Sequence, residues 1–410
     1  MKDRYTINNF LKLISISDLN VSYEQLHEML STDDFKNYLS KRLGELTVGG
    51  AILVKNQEKL ITRAISSSLN YCDKLVICDT GSTDHTLSKI SKYLVNPAIT
   101  LIEKEWVEDY SKMRNHVVSF LDTDWIFIID SDEYMINQLD KTTLKTLLLA
   151  LEFLSPEADI ALCFKQLAEG IEGAGFPQRL YQNKKNIKFY GLVHEELRAD
   201  RLLNIKTEIQ VFNSGTSVEQ SARFNKRKRY DNLLLKNIEK EPLYSKWYSL
   251  LSNEYIQSHT EWYMNQVTPI IKNIELSLPN RDFFSIKLYS IYILLLFELG
   301  NDLEIIYKKI DFATEHFFDN PIFYYYKYLF EIYRLQQEAK LLLNSLNNDF
   351  IKMKNNHSEW DVYFPIESIE AILYNLLLKS EEYSLLLNSI EELSSLEKEK
   401  LLNVFNLTNM

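Results

Sequence analysis

Short apolar runs alternate, between residues 49 and 129, with segments whose apolar residues recur every three or four positions. The runs are AILV (51–54), KLVIC (74–78), ITLI (99–102) and WIFII (125–129). Continuous runs of this length are typical of strands buried on both faces, and the spacing between them is typical of helices. The alternation therefore predicts an α/β fold with a mostly parallel sheet and helices on both faces.

The N-terminal 47 residues carry a helical pattern. Apolar side chains recur at roughly helical intervals, at Leu11, Leu13, Ile14, Leu26, Leu30, Phe35 and Leu39. We interpret this segment as two or three short helices that form either a cap on the sheet or a dimer contact. A homodimer is therefore one expectation.

The alternation stops beyond about residue 225, and helical blocks follow. They are anchored near Trp247, Phe284, Tyr324 and Tyr363, at intervals of roughly 40 residues. This period is typical of stacked helix pairs of the tetratricopeptide kind. The sequence thus predicts three parts: residues 1–47, a sheet domain at 48–235 and a helical domain at 236–410.

Composition and charge fit an ordinary globular protein and exclude some functions. Apolar residues make up 46% and charged residues 25% of the chain, and the formal net charge is -11. A general nucleic-acid binder needs a basic surface, so this class is not expected. The longest apolar run, Ile291–Phe297, is far shorter than the ~20 residues that span a bilayer.

The cysteines and the first residues bear on location. Cys72, Cys78 and Cys163 form no CxxC pair, and Cys78 falls inside an apolar strand, where we expect a buried, unreactive thiol. The first ten residues lack the basic-then-apolar layout of a secretion signal. We therefore expect a cytoplasmic protein with reduced thiols.

A polar turn follows the second predicted strand, and sheets of this kind bind ligands beyond the carboxyl ends of their strands. The turn reads DTGSTD (79–84), with Asp79 first and Gly81 suited to a tight turn. The Asp79 carboxylate could accept a hydrogen bond from a uracil N–H or a ribose hydroxyl. A plain strand-to-helix turn, which favours the same residue types, is the alternative.

A second polar turn, DSDE (130–133), follows the last predicted strand and places Asp130 and Asp132 two residues apart. Two carboxylates have little reason to crowd there unless a cation lies between them. A Mg²⁺ or Mn²⁺ ion bound by carboxylates and diphosphate oxygens fits this arrangement and would neutralise a departing nucleoside diphosphate. A solvated acidic turn is the alternative.

Four further residues are candidates for the same site. Arg114 could bind a phosphate, pair with a carboxylate or lie on a solvated helix face. Arg179 is assigned to the sugar-nucleotide site, and it precedes the segment GLVHEE (191–196). There, His194 and Glu195 could supply a metal ligand and a general base, although a lone histidine is often simply hydrogen-bonded. We assign Glu195 as the base and His194 as a metal or phosphate partner.

The chain has one basic cluster, RFNKRKR (223–229). It could form a lid that clamps a diphosphate through Arg227. A solvated charged face is the alternative, since charge runs usually have that role.

Three segments in this order resemble family 2 glycosyltransferases: KLVICDTGSTDHT, SKMRNHVVSFLDTDWIFIIDSDE and RLYQNKKNIKFYGLVHEEL. Within the family, the chain looks like the branch with a C-terminal helical-repeat domain, and in particular like the sublancin-type peptide S-glycosyltransferases. Those enzymes attach a sugar to Cys, Ser or Thr of a bacteriocin precursor peptide. The resemblance covers roughly residues 48–235, and residues 236–410 share only the helical character.

The resemblance implies a GT-A fold, a UDP-sugar donor and a peptide acceptor. It also implies that Asp79 contacts the uridine and that Asp130 and Asp132 form the DxD motif, with Asp132 the more direct metal ligand. His194 and Glu195 match the family's His-Glu pair near the acceptor.

Two departures from the family pattern stand out. Asn56 matches the family's asparagine after the first strand and is assigned to the UDP-sugar site, but Lys55 and Gln57 replace that asparagine's neighbours. Asn213 stands where relatives commonly have a histidine. If that histidine helps to hold the metal or the diphosphate, this chain has a weaker ligand there.

These assignments predict an inverting transfer by a single in-line displacement, in which Glu195 deprotonates or orients the nucleophile. A thiol with a pKa of ~8.5 needs less help from a base than a hydroxyl does. Two alternatives remain open: a glycosyltransferase acting on a cell-surface polysaccharide or lipopolysaccharide, and a non-catalytic helical scaffold with a decayed transferase domain. The intact DxD and His-Glu motifs count against the scaffold.

Overall fold

The computed structural model describes residues 12–19, 21–136, 139–168, 174–215, 226–277 and 282–355, with three isolated helical positions at Ile372, Leu376 and Lys379. The chain divides into two compact units, Met1–His259 and Thr260–Met410. The first contains the sheet and the second is helical in its described part.

The first unit begins with two capped helices, α1 (Tyr23–Ser31) and α2 (Asp33–Arg42). Ser22 and Gln25 form a reciprocal capping box at the start of α1, and Thr32 caps α2. Their buried residues pack against the core of the sheet. Helices therefore form where the sequence pattern predicts them between residues 23 and 42.

Strands and helices then alternate as predicted. The elements are β1 (Val48–Val54), α3 (Ile61–Ser68), β2 (Lys74–Asp79), α4 (Thr86–Ser91), β3 (Ile99–Glu103), α5 (Tyr110–Val118) and β4 (Trp125–Ile128). β1 pairs in parallel with β2 and with β4, and β2 pairs in parallel with β3. The carboxyl ends of these four strands therefore lie at one edge of the sheet.

The remainder of the sheet is mixed. Its elements are β5 (Glu133–Met135), α6 (Lys141–Leu154), β6 (Asp159–Ala168), β7 (Gln178–Gln182), β8 (Lys188–Tyr190), β9 (Glu196–Arg198) and β10 (Leu202–Asn213). Within the described residues, eight strands form one sheet in the order β3-β2-β1-β4-β7-β6-β10-β5, and β8 and β9 form a separate hairpin. β7 is antiparallel to β4 and β6, β5 is antiparallel to β10, and β6 and β10 are parallel. The prediction of a mostly parallel sheet is confirmed, with antiparallel strands in its second half.

Apolar clusters cover both faces of the sheet. Alternate residues of β2 divide between them: Leu75 and Ile77 belong to one cluster, and Val76 and Cys78 to the other. Glycine in β1 allows a close approach, because a Cβ added at Gly49 would lie 2.4 Å from the Thr123 hydroxyl oxygen. The central strands are apolar throughout because neither face meets water.

The three cysteines are free and buried. Burial raises the pKa of Cys78 to about 11 and that of Cys163 to about 12. The prediction that the Cys78 thiol is buried is confirmed.

Three helices complete the first unit: α7 (Lys226–Lys240), α8 (Ser245–Ser249) and α9 (Asn253–Ser258). The predicted boundary at residue 235 falls inside α7. The compact unit instead continues to His259. Trp247 lies in α8 of this unit, so it does not begin the helical series for which the sequence pattern used it as an anchor.

The second unit contains α10 (Thr260–Leu276), α11 (Phe283–Glu298), α12 (Leu303–His316) and α13 (Pro321–Asn355). Phe284 and Tyr324 lie near the starts of α11 and α13 as predicted, and the fourth anchor, Tyr363, is outside the described residues. The apolar run Ile291–Phe297 belongs to α11, and none of the helices described is both long and apolar enough to cross a membrane.

The first described residues differ from the prediction. Leu13 and Ile14 were expected on a helix, but Ile14 forms an antiparallel bridge with Thr207. The Glu208 N–H donates to the Leu13 carbonyl (2.9 Å). Pairing with strand β10 satisfies these backbone groups, so no helix is needed there. Leu11 lies outside the described residues.

Candidate active site

Asp79 ends β2 in a buried position, with 2% of its surface exposed. Its Oδ1 atom accepts hydrogen bonds from the backbone N–H groups of Gly81 (2.9 Å) and Ser82 (2.8 Å). Its Oδ2 atom is buried and has no hydrogen-bond partner among the described residues. An unsatisfied buried acceptor costs about 1–3 kcal/mol, so this oxygen is suited to a donor supplied by a ligand.

Asn56 ties the turn after β1 to the turn after β2. Its φ of 52° lies in the left-handed region, which asparagine tolerates. Its backbone N–H donates to Ser82 Oγ (2.9 Å), and its Oδ1 accepts from the Thr83 N–H (2.7 Å). Asn56 therefore shapes the turn around Asp79, and a direct contact with a sugar nucleotide stays a prediction.

Asp130 lies between two buried arginines just beyond β4. Arg114 Nη2 donates to Oδ1 (2.7 Å), and Arg179 Nη2 donates to Oδ2 (2.9 Å). Burial alone would raise the pKa of Asp130, but the two guanidinium groups hold it well below its usual range. Asp130 is therefore an ionised carboxylate that orients both arginines.

Glu133 supports one of these two arginines, Arg179. Its Oε1 atom accepts from Arg179 Nη2 (2.6 Å) and from Gln166 Nε2. Its Oε2 atom accepts the backbone N–H of Asp130 (3.1 Å), which closes the DSDE turn. The turn is thus held by buried charges as well as by backbone geometry.

Arg114 connects this network to Glu195. Its Nε–H donates to Glu195 Oε1, and the Glu195 side chain is only 11% exposed. Burial alone would lower the pKa of Arg114, but the carboxylates of Asp130 and Glu195 raise it instead. Of the roles considered for Arg114, the structure shows the pairing with carboxylates, and it joins the DSDE turn to the predicted base.

Asp132 is covered by the end of β10. The Ser214 N–H donates to the Asp132 carbonyl (2.9 Å), and a Cβ added at Gly215 would lie 1.7 Å from Asp132 Oδ2. Asn213 accepts the Gly215 N–H at Oδ1 (2.7 Å). Asn213 therefore shapes the turn that packs against the Asp132 carboxylate, a turn that requires glycine at position 215.

The ligand set predicted for a metal needs correction. Among the residues the structure describes, no group of three or more His, Cys, Asp and Glu side chains is arranged to hold a metal ion. Asp130 is a poor ligand because both its oxygens accept from arginines. Asp132 remains, and one carboxylate with diphosphate oxygens and water is a set that Mg²⁺ uses. Asp132 therefore fits a cation that would bind together with a diphosphate.

His194 and Glu195 belong to a turn. His194 is exposed with a φ of 51°, and β9 begins only at Glu196. The His194 ring packs edge-on against Tyr230, with ring centroids 5.5 Å apart. His194 and Glu195 are therefore not part of a strand. The turn itself presents Glu195 to Arg114 and His194 to Tyr230.

The described part of the basic cluster lies on the first turn of α7. Arg227 is 79% exposed and pairs with Glu254 (2.7 Å), and Arg229 approaches Glu108 (3.4 Å). Residues 223–225 are outside the described part of the chain. A diphosphate clamp through Arg227 stays a prediction.

The sequence patterns did not identify every residue of the network. Glu133 is visible in the DSDE motif, but its support of Arg179 is not. Gln166 lies on β6, with no motif around it, and meets Glu133 of β5 only because a single strand, β10, separates β6 from β5. A contact between side chains on different strands leaves no local pattern in the sequence.

A polar turn and a carboxylate turn at the carboxyl edge of a mostly parallel sheet are features of a GT-A-type transferase domain. Residues 51–187 match the protein-family model described as Glycosyl transferase family 2. The chain therefore contains a family 2 glycosyltransferase domain, and the resemblance seen in the sequence is confirmed.

Several curated proteins are similar to parts of this chain. The SPbeta prophage-derived glycosyltransferase SunS of Bacillus subtilis is 24% identical over 211 residues, 51% of this chain and 49% of that protein. A TPR repeat-containing protein of Synechococcus elongatus is 29% identical over 161 residues, 38% of this chain and 36% of that protein. This chain thus spans about half the length, or less, of these two relatives.

Two solved structures match parts of this chain. S. aureus TarS matches over 66% of this chain and 55% of its own, with a TM-score of 0.38 and 14% identity. The mannosyltransferase PcManGT of Pyrobaculum calidifontis, in complex with GDP-Man and Mn²⁺, matches over 70% of this chain and 94% of its own, with a TM-score of 0.36 and 14% identity.

Proposed function

We propose that the protein is an inverting glycosyltransferase that moves a hexose from a UDP-sugar to a cysteine, or to a serine or threonine, of a peptide. The observation that carries the proposal is the buried, unpaired Oδ2 of Asp79 at the same sheet edge as the Arg114–Asp130–Glu195 network. Only β1 separates β2 from β4, so the two turns lie about 10 Å apart, two strand spacings. A nucleoside diphosphate can span that separation.

Asp79 is proposed to recognise the nucleoside through a hydrogen bond. A uracil N–H or a ribose hydroxyl would donate to Oδ2, while Oδ1 stays bound to the turn. The orientation of the carboxylate is therefore set before the ligand arrives, which reduces the cost of ordering on binding.

Glu195 is proposed as the general base. The acceptor sulfur or oxygen attacks the anomeric carbon opposite the UDP oxygen, and its proton passes to Glu195. The bond from that carbon to UDP breaks, and its electron pair leaves on the diphosphate. Asp132 would hold a Mg²⁺ or Mn²⁺ ion against the diphosphate, which supplies charge neutralisation of the leaving group.

The peptide acceptor rests on two further observations. SunS, a named glycosyltransferase, matches half of this chain. The helical unit also carries exposed aromatic side chains on α13, where Tyr325 is 60% and Tyr328 is 65% exposed. Tyrosines are enriched at protein-binding surfaces because they combine a large apolar face with a polar end. We propose that this face of α13 binds the peptide.

The direct test incubates the full chain with UDP-glucose, UDP-galactose or UDP-N-acetylglucosamine and peptides that differ only in Cys, Ser or Ala at one position. Mass spectrometry should show one added sugar on the Cys or Ser peptide and none on the Ala peptide. Excess chelator and Asp132→Asn should each abolish transfer. Sugar added only to polysaccharide or lipid-linked acceptors would overturn the peptide proposal, and full activity in chelator would overturn the metal.

A further inference from the structure

We infer that Asn237 and Lys246, on the helices that follow the sheet, are positioning residues for Glu195. The inference rests on the proposed function, in which Glu195 is the base. Both residues lie in the part of the chain that the sequence assigns to the helical domain, yet both contact the turn that carries Glu195.

Asn237, on α7, forms hydrogen bonds with the backbone just before that turn. It is 2% exposed, its Oδ1 accepts the Leu192 N–H (2.9 Å) and its Nδ2 donates to the Val193 carbonyl (3.4 Å). Asn115, on α5, makes the same pair of bonds to Phe189, at 3.0 Å and 2.9 Å. Two amides, the buried one of Asn237 and the half-buried one of Asn115, therefore hold the segment 189–193 at both ends.

Lys246, on α8, holds the residue that follows Glu195. Its buried ammonium donates to Glu196 Oε2 (2.5 Å). The other oxygen of Glu196 accepts from Arg198 Nε (2.8 Å) and from the Tyr244 hydroxyl (3.0 Å). Both oxygens of Glu196 are thereby fixed, and one of them depends on Lys246.

The packing of the loop against α8 adds a third constraint. Gly191 has a φ of 99°, and a Cβ added there would lie 2.7 Å from Trp247 Cη2. The backbone therefore lies directly on the indole ring. Glu195 lies between Val193, which Asn237 of α7 contacts, and Glu196, which Lys246 of α8 contacts. The position of the Glu195 carboxylate against Arg114 therefore depends on α7 and α8.

Loosening this support displaces the base without touching the Asp79 turn. A misplacement of about 1 Å can reduce a catalytic rate by about 10²-fold, while binding of the nucleotide is unaffected. A positioning role therefore predicts a loss in kcat with no change in UDP affinity.

The experiment uses Asn237→Leu and Lys246→Met in the full chain. Each should lower kcat about 10- to 100-fold, with the KM for UDP-sugar and the calorimetric affinity for UDP unchanged. Amide hydrogen exchange at residues 191–196 should be faster in both variants. Lys246→Met tests the inference independently if Asn237→Leu folds poorly.

Asn183→Leu is the matched control. Asn183 Nδ2 donates to the carbonyls of Leu121 (3.1 Å) and Thr123 (2.9 Å), before the amino end of β4. It loses the same kind of hydrogen bonds at the opposite edge of the sheet, so its Tm should fall while its kcat stays unchanged.

Wild-type kcat and unchanged exchange in Asn237→Leu and Lys246→Met would overturn the inference. A kcat loss of equal size in Asn183→Leu would overturn it too, since the effect would then be general destabilisation. Failure of the wild-type chain to transfer any sugar would instead overturn the proposed function, and exchange at residues 191–196 would still test the positioning contacts.

Discussion

The carboxyl edge of the sheet and the helical unit are held together by different interactions. At the sheet edge, the side chains of Arg114, Arg179 and Glu133 are nearly inaccessible and form ion pairs. In the helical unit, aromatic rings surround Tyr289: those of Phe312, Phe317 and Phe323 lie 5.6, 5.7 and 6.1 Å from it. Tyr289 also donates to Glu275, whose ion pair with Lys309 is 24% and 21% exposed. The ion pairs among nearly inaccessible side chains therefore belong to the sheet edge.

The difference indicates where function lies. Taking a charge out of water costs several kcal/mol, and ion pairing offsets that cost only with good geometry. Aromatic rings stabilise a fold through burial and ring–ring contacts, with no charge to take out of water. A site that must bind or move charge often has charged side chains in its interior, even where apolar packing would give the same stability. The helical unit shows the packing expected of a scaffold or docking surface.

Removing the proposed base gives the sharpest test of the charged region. Glu195→Gln keeps an oxygen for Arg114 but cannot take a proton, so kcat should fall about 10²–10⁴-fold with UDP affinity unchanged. A thiol acceptor should be affected less than a hydroxyl acceptor, because a thiol is partly ionised already. Steady-state kinetics with Cys and Ser peptides would measure both effects. Unchanged turnover would move the base elsewhere, with Asp132 the next candidate.

Removing the carboxylate of Asp130 tests how much the ion-pair network contributes to stability. Asp130→Asn leaves two buried arginines without their shared carboxylate, and the free energy of unfolding should fall by about 3–5 kcal/mol. Urea denaturation would measure the loss. A change near zero would show that the network contributes nothing to stability.

The wild type and Asp130→Asn should also differ in how their stability depends on pH. The pKa of Asp130 is lowered by Arg114 and Arg179 in spite of its burial, so its ionised form stabilises the fold. That contribution is complete above the ordinary aspartate pKa of ~3.9 and is lost as the pH falls from there toward the lowered pKa. Wild-type stability should therefore fall more steeply in acid than that of Asp130→Asn. Parallel curves in urea titrations below pH 4 would contradict this.

Asp79 offers a smaller effect, confined to binding. Asp79→Ala removes the unpaired oxygen, and UDP should bind more weakly by about 1–3 kcal/mol in calorimetry. Asn183→Leu, remote from this edge, serves as the control and should bind UDP normally. Equal affinity of wild type and Asp79→Ala would reduce Asp79 to a turn residue.

The smallest effect is expected in the helical unit. Tyr325→Ser with Tyr328→Ser removes two exposed rings, so stability should change by no more than about 0.5 kcal/mol for each replacement. If this face of α13 binds the peptide, the KM for peptide should rise about tenfold, as expected when more than 1 kcal/mol of contact is lost. UDP affinity should not change. An unaltered peptide KM would remove this face from the acceptor site.

Local patterns were sufficient for much of the fold. The runs at 51–54, 74–78 and 99–102 fall in β1 to β3, and the run at 125–129 ends one residue beyond β4. Short apolar runs buried on two faces have few other structures open to them. Leu13 and Ile14 were mispredicted because their backbone pairs with β10, nearly 200 residues away. A helical spacing of apolar residues carries no information about such a partner.

The candidate site was predictable to the extent that it lies at strand ends. Asp79 and Asp130 were found because parallel strands bring their carboxyl ends to one edge. The bond from Arg114 to Glu195 joins residues 81 positions apart, and no spacing rule connects them. For the same reason, the sequence placed Asn237 and Lys246 in a different domain from the turn they hold.

The sequence by itself determined the alternation of strands and helices, the turns that carry Asp79 and Asp130, and the family of the domain. Those features depend on hydrogen bonds and apolar burial within a few residues or between neighbouring strands. Only the tertiary structure decided which charges pair, that Asp130 faces arginines, and that α7 and α8 support Glu195. A charged side chain takes whichever partner the packing of distant elements brings within about 3 Å, and that packing is set by the whole core.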